Sequence, residues 1–481
     1  MPGVDLDSGA GLLHRLTSYS PDREWDVPAD DPRVRHDLIP NDLETIPPPM
    51  KGYPDGLPVV ALPRELSDPG VPATAVLAGV VSPVQELDAA QLGRILFLGV
   101  GIVRTLERNG RQMPFRASGS AGARFPLEVY ASTRDIAGIP DGVHWYDAAQ
   151  HALLQVAPAA TGDATTLVVT GVPWRTGWRY AERGWRHLYW DGGTLLAQLS
   201  AAIASTGVTP RLRSHFPDAA VRALVGADGV NEYPLALLSF GDGDPAIGST
   251  GPAAPGELPP VEFPLCTAAQ RAGARDNLEA PWPEVEALRD VPASKSLDEV
   301  VRRRGSQRRM DRSRTRPRSL LEWPLAAAMR GIEVPHWIVV HGVDDTAPGV
   351  YRWPDLSKPL KEANLRDEMA RICLDQMLGA EAAYVVIAGT LMSSLDDRGY
   401  RDAQLAAGLV EGRLHLAAYA LGASASGMTF LDSEVPALLG ESDDLVTLLF
   451  TCVGVPEYRS RPGGGPGTPV EFRPIVPRLG D

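Results

Sequence analysis

The densest chemistry in the chain is Arg302-Arg303-Arg304-Gly305-Ser306-Gln307-Arg308-Arg309, five arginines and a serine in eight positions. Guanidinium forks beside a hydroxyl suit the oxygens of a phosphate. A solvated basic face or an RNA-binding patch would have the same composition. A second run, Arg116-Ala117-Ser118-Gly119-Ser120-Ala121-Gly122-Ala123-Arg124, is built mainly from small residues. Such a run lets backbone amides approach a flat or anionic ligand closely, although an ordinary Gly/Ser turn reads alike. Trp174, Trp178, Trp185 and Trp190 fall within 17 positions. They fit an aromatic wall for a flat heterocycle, or the buried edge of a helix. HExxH, GxSxG, Walker and Rossmann glycine motifs are absent from the sequence. His144, His151 and His187 are too far apart to read as a metal site.

The elements that must position these clusters repeat along the chain. Glu182-Arg183-Gly184-Trp185-Arg186 has a counterpart in Asp397-Arg398-Gly399-Tyr400-Arg401. Each follows a short apolar strand pattern, Thr166–Gly171 or Tyr384–Gly389. Each precedes an Ala/Leu-rich helical stretch that reaches a glycine, Gly207 or Gly422, 21 residues after the last arginine. Each half then closes on an apolar strand, Tyr233–Phe240 or Leu445–Val453. The pattern predicts a tandem duplication of an α+β domain, packed about a pseudo-twofold axis with any ligand site drawing on both halves. The expected divisions are an N-terminal arm at 1–65, domains at 66–241 and 291–462, a linker at 242–290 and a tail at 463–481. The arm, with Ile46-Pro47-Pro48-Pro49 at its centre, reads as extended. A helix starting near Ser296 would carry the arginine cluster at its end.

The chain has 481 residues, 44% hydrophobic and 22% charged, the balance of a soluble globular protein. Its net charge of −14 argues against general nucleic-acid or anionic-membrane binding. Cys266, Cys373 and Cys452 form no CxxC pair, so neither a disulfide framework nor a structural zinc is expected, and a reducing cytoplasm is the natural compartment. The N-terminal residues carry no signal-peptide pattern, and apolar runs are too short to span a membrane.

In this duplicated frame the run SGSAGARFPLEVY resembles the small-residue motif of the FMN-dependent nitroreductase superfamily, in its SagB-type azoline dehydrogenase branch. RRRGSQRRM is similar to that superfamily's FMN-phosphate motif, and Gly427-Met428-Thr429-Phe430 to the loop along the flavin ring. Leu16-Thr17-Ser18-Tyr19 and Pro47–Pro54 resemble the N-terminal segment of the SagB type. The resemblance implies two nitroreductase-like domains forming an intramolecular pseudo-dimer, each a mixed or antiparallel sheet flanked by helices. It also implies FMN at the interface of the halves. Arg304, Ser306, Arg308, Arg459 and Arg461 of the second half would hold its phosphate. Arg116, Ser118, Ser120, Ala121 and Gly122 of the first half would face it, with Gly427, Met428 and Thr429 along the ring. The first half has no arginine cluster and the second no small-residue run, so one FMN per chain is expected.

The activity implied is oxidation of thiazoline or oxazoline rings to thiazoles or oxazoles in a ribosomally made, modified precursor peptide. A cyclodehydratase is a possible partner, and the pseudo-dimer is monomeric or assembles further. Other readings are an NAD(P)H-dependent reductase of a small molecule and a flavin-less peptide-binding scaffold. SagB-type enzymes carry a Lys-Tyr pair where this chain has Arg179-Tyr180. Arg179 cannot be a general base, because a guanidinium stays protonated. Tyr180 would serve as acid or base only if Arg179 or Arg183 lowered its pKa; otherwise it is a packing aromatic.

Overall fold

The computed structural model describes residues 7, 9–22, 34, 39–108, 110–258 and 260–472. Two antiparallel sheets form its frame. The first runs Val59–Ala61, Ala152–Ala157, Gly142–Asp147, Leu127–Thr133, Thr166–Gly171, Tyr233–Phe240, Pro210–Arg213. The second runs Lys361–Glu362, Gly349–Arg352, His336–Val340, Tyr384–Leu391, Leu445–Gly454, Ser424–Met428. Six strands of each occur in the same order, so the repeat seen in the sequence is a repeat of topology. The central strands Thr166–Gly171 and Tyr233–Phe240 are buried along their whole length. Near-continuous apolar sequence is what a strand covered on both faces requires.

The halves meet along two long helices, Gly184–Ala204 and Asp397–Ala420. Gly193 and Gly408 occupy equivalent positions of the repeat and face each other across the contact. A Cβ at Gly193 would collide with the backbone of Leu405 and Leu409, and one at Gly408 with the backbone of Trp190. A Cβ at Gly412 would lie 2.7 Å from Ala197 Cβ. Glycine within a helix costs about 1 kcal/mol relative to alanine; here it permits backbone-to-backbone packing. The equivalent aromatics Trp185 and Tyr400 stack across the same axis at 5.7 Å.

The repeated Arg-Gly-aromatic-Arg sequence builds a reciprocal clasp. Arg183 and Arg186 of the first half bind Asp432 of the second at 2.7 and 2.8 Å. Arg398 and Arg401 of the second half bind Asp218 of the first at 2.7 and 3.0 Å. The residue before each motif caps a helix of the other repeat. Asp397 accepts from Ala10 N at 2.7 Å, at the start of helix Gly9–Thr17. Glu182 accepts from Cys266 N at 3.0 Å, near the start of helix Pro264–Ala272. Both helices lead into their repeats and pack on each other. This corrects two expectations. The arm is not simply extended, because Leu12, Leu13 and Leu16 bury one face of Gly9–Thr17. The stretch 242–290 is not only a connector, because it holds the second copy of that helix. A further buried ion pair, Arg94 with Asp298, also joins the halves.

The proline segment of the arm is fixed to the first half. Pro48 and Pro49 carbonyls accept from Arg175 and Arg116. Lys51 is buried against Glu232 and donates to Tyr130 Oη at 2.7 Å. Strand Val59–Ala61 then joins the sheet edge.

The halves differ between their first long helix and first central strand. In the second, helix Ser319–Met329 leads almost directly to strand His336–Val340. In the first, helix Ala89–Val100 is followed by a hairpin, Ile102–Arg108 and Arg111–Arg116, then the small-residue loop, then Leu127–Thr133. The C-terminal strand Val470–Glu471 pairs in parallel with that hairpin.

The clasp has a measurable consequence. Burial raises the Asp432 pKa, but Arg183 and Arg186 outweigh it and hold the carboxyl down at about 2. A carboxyl lowered on folding stabilises above its unfolded value, near 4, and that contribution is lost as pH falls toward 2. Asp432→Asn leaves two buried guanidinium groups uncompensated and is expected to cost about 3–5 kcal/mol in urea unfolding at neutral pH. An unchanged midpoint would remove Asp432 from the interface energetics.

Candidate functional site

The helix Leu297–Arg303 opens with Ser296, whose hydroxyl accepts from Glu299 N, and ends at Arg304. Arg304 is buried, and its guanidinium crosses to the first half. Nη2 donates to Ala117 O, and a Cβ at Gly119 would lie 3.3 Å from Nη1. Its Nε and Nη1 are buried without a hydrogen-bond partner. Burial lowers its pKa to about 10. A charged fork with two unused donors, aimed at a loop of small residues, is suited to an anion.

The loop itself is strained. Gly122, Ala123 and Phe125 adopt φ of 56°, 54° and 47°. Positive φ at two non-glycine residues is costly and is held only when the surroundings impose it. The loop is pinned by Asp191, on the first-half long helix. Ser120 Oγ donates to Asp191 at 2.6 Å and Ala121 N at 2.9 Å. Ser120 Oγ in turn accepts from Phe125 N at 2.8 Å. Arg116, Ser118, Gly119, Ser120, Phe125 and Asp191 line a narrow cavity under the loop. Arg116 is buried, its pKa lowered by that burial.

The second half supplies the opposite wall. Thr194 Oγ1 donates to Gly408 O at 3.3 Å and to Glu411 at 3.4 Å. Glu411 pairs with His415 at 3.5 Å and fills the space a side chain at Gly427 would need. Met428 is buried, and Thr429 Oγ1 is buried without a partner. Arg304 acts electrostatically on His415, whose pKa is lowered mainly by burial. Arg304, the loop 117–122, Asp191, Glu411 and Gly427 therefore form one neighbourhood across the two halves.

The remaining residues expected at the phosphate differ from Arg304 in burial. Ser306, Arg308, Arg459 and Arg461 are exposed. Arg308 N donates to Tyr458 Oη at 3.4 Å. Arg104, which the sequence did not single out, gathers the carbonyls of Arg302, Arg304 and Arg461 at 2.9, 3.2 and 2.8 Å. It thereby fixes both basic segments against the first-half hairpin.

Arg179 and Tyr180 end the helix Pro173–Tyr180. Tyr180 stacks on His187 at 4.0 Å, and its hydroxyl would lie 2.7 Å from a Cβ at Gly122, so it adjoins the loop. Arg179 is exposed and donates to Asn41 at 3.3 Å. The condition set for Tyr180 to act as acid or base, a lowered pKa, is not met. Burial raises it, and the opposing effect of Arg179 is smaller. Arg183 is occupied by Asp432 and lies 3.9 Å over the Tyr19 ring, away from that task. Of the two readings left open for the tryptophans, a pocket wall or a buried helix edge, three follow the second. Trp178, Trp185 and Trp190 are buried, bonded or stacked to Asp42, Tyr400 and Gln404 respectively. They are core and interface residues.

No protein-family model matches the chain. A protein of Methanocaldococcus jannaschii, provisionally named a nitroreductase, is 26% identical over 170 residues, covering 32% of this chain and 81% of that protein. A solved Anabaena variabilis structure, likewise provisionally named a nitroreductase, superposes with a TM-score of 0.70 at 22% identity, covering 94% of this chain and all of that one. A chain of the E. coli microcin synthetase complex, solved with a truncated pro-microcin bound, aligns over 33% of this chain and 65% of its own length at 19% identity and a TM-score of 0.28. The near-complete superposition shows the nitroreductase-like fold in both halves. Among the described residues no helix is long and apolar enough to cross a membrane, and no His/Cys/Asp/Glu group is arranged to hold a metal.

Asp191 gives the site a pH dependence. Burial raises its pKa to about 8, against the lowering effect of its two hydrogen bonds. The folded chain thus holds this proton more tightly than the unfolded one. The contribution is full below about pH 4 and is lost as pH rises to about 8. Asp191→Asn keeps an acceptor for Ala121 N and places an amide beside Ser120 Oγ. Urea unfolding from pH 4 to 8 should show a steeper loss of stability in the native chain than in Asp191→Asn. Parallel curves would place the proton elsewhere.

Proposed function

We propose that the chain is an FMN-dependent oxidoreductase with one flavin position between its halves, acting as an azoline dehydrogenase on a modified peptide. The observation that carries the flavin reading is Arg304. It belongs to the second half, ends at the first half's small-residue loop and keeps two buried donors unused. Gly119 and Gly427 border the same neighbourhood, where a Cβ would press on Arg304 and Glu411 respectively. These features fit a flat, phosphate-bearing group. The near-complete match of fold to a protein provisionally named a nitroreductase, and the motif resemblance, support the same assignment.

In this reading Arg304, Ser306, Arg308, Arg459 and Arg461 hold the phosphate. Ser118, Ser120, Ala121 and Gly122 present the first-half face, with Arg116 beneath them. Gly427, Met428 and Thr429 line the second-half face. Bound FMN would supply a two-electron acceptor; the protein supplies orientation and charge. Asp191 keeps the loop in its strained course. Tyr180 stands beside the loop as a neutral phenol that donates a hydrogen bond to a substrate heteroatom, and Arg179 stays cationic next to it. Oxidation of an azoline ring removes a hydride and a proton. Neither Arg179 nor the neutral Tyr180 readily takes that proton at neutral pH. This favours one second reading, an NAD(P)H-dependent reductase of a small molecule, which needs no base here.

The test is the visible absorption spectrum and a count of released FMN per chain. One FMN is expected, with at least a tenfold weaker affinity in Arg304→Ala, because a charge-assisted contact is worth about 1.5–3 kcal/mol. Two FMN per chain, or none after reconstitution, would overturn the composite site. Oxidation of a thiazoline peptide without NAD(P)H separates the leading reading from the second.

A further inference from the structure

We infer that the second half carries another anion site, separate from the flavin position, which takes a small phosphate- or pyrophosphate-bearing ligand between Arg314 and Arg316. An open cavity of about 280 Å³ lies there, bordered by Gly422 and the segment Val455-Pro456-Glu457-Tyr458. That is near the lower end of small-molecule sites. The carboxylate on its wall, Glu457, is committed to Arg309 at 2.9 Å. Arg316 is half-buried. Its Nη2 donates to Leu421 O at 3.4 Å, while its Nε is buried without a partner. Burial lowers the Arg316 pKa, and the neighbouring Arg314 charge lowers it further. Two cations set against one another in a protein of net charge −14 are relieved by a bound anion.

The repeat provides an internal control. Gly207 of the first half is the counterpart of Gly422. A Cβ at Gly207 would lie 2.7 Å from Val84 Cα and 2.8 Å from Pro83 O, so backbone occupies that position. Nothing lies within 4 Å of a Cβ at Gly422. The second half has thus opened a space that the first half fills, and lined it with arginine. Neither Arg304 nor any residue of the small-residue loop borders this cavity; Arg459 alone is shared with the residues assigned to the flavin phosphate. Multidentate guanidinium recognition of phosphate oxygens is the chemistry such a lining performs.

The experiment is titration calorimetry of the full chain, saturated with FMN, using inorganic pyrophosphate as the probe. One site per chain is expected. Its affinity should fall with added salt and drop about tenfold in each of Arg314→Gln and Arg316→Gln. Arg314 is exposed, so its variant reports on binding without disturbing the core; circular dichroism verifies both folds. Release of FMN by pyrophosphate, or loss of FMN in these variants, would assign the cavity to the flavin phosphate and overturn the proposal. Absence of pyrophosphate binding would overturn it equally. A chain that takes up no flavin would fail the oxidoreductase reading, yet the same titration would still decide this one.

Discussion

Everything in this molecule is hung on the close crossing of two helices at Gly193 and Gly408. Backbone contact there brings Thr194 of one helix within reach of Glu411 on the other, so the walls of the candidate site are a by-product of the crossing. A single methyl group at either glycine would meet main-chain atoms, which cannot yield as a flexible side chain can. The buried clasps at Asp218 and Asp432 then fix the rotation about the crossing. Buried ion pairs of this kind add little net stability against an apolar alternative, but breaking one is costly, which suits them to holding a single arrangement.

The interface is symmetric where it packs and asymmetric where it does chemistry. Trp185 and Tyr400, Gly193 and Gly408, Asp218 and Asp432 play matching parts. At the position equivalent to Asp191 the second helix has Ala406, and opposite Glu411 the first has Leu196. Two identical subunits could not diverge in this way, because every substitution would occur at both sites. Joining the halves in one chain frees each to keep half of the machinery.

The duplication was legible because its landmarks are periodic in sequence: the two Arg-Gly-aromatic-Arg motifs, the strands before them and the glycines after. The small-residue run and the arginine cluster were legible as unusual local composition. What composition could not reveal was direction. The tryptophans between 174 and 190 looked like a pocket wall, yet they serve the core, since an aromatic's burial is set by what packs against it. Arg183 looked like a modulator of Tyr180, but it reaches Asp432, 249 positions away in sequence. Asp191 left one faint trace, a lone carboxylate within an apolar helix followed by Gly192-Gly193. Helix Pro264–Ala272 was hidden in a breaker-rich segment, because its likeness to Gly9–Thr17 lies in position rather than in sequence.

The short parallel strand Val470–Glu471 bears on the order in which the molecule comes into being. It lies against the hairpin that leads into the small-residue loop, and Phe472 meets Phe115 edge-on at 4.8 Å. Synthesis proceeds from the N-terminus, and domains tend to fold as they emerge. The first half can therefore build its seven-stranded sheet while the second is still being translated, but its hairpin waits for a strand made some 350 residues later. The hairpin beside the loop is thus completed only with nearly the whole polypeptide, and a truncated nascent chain would hold the first sheet with that hairpin one strand short.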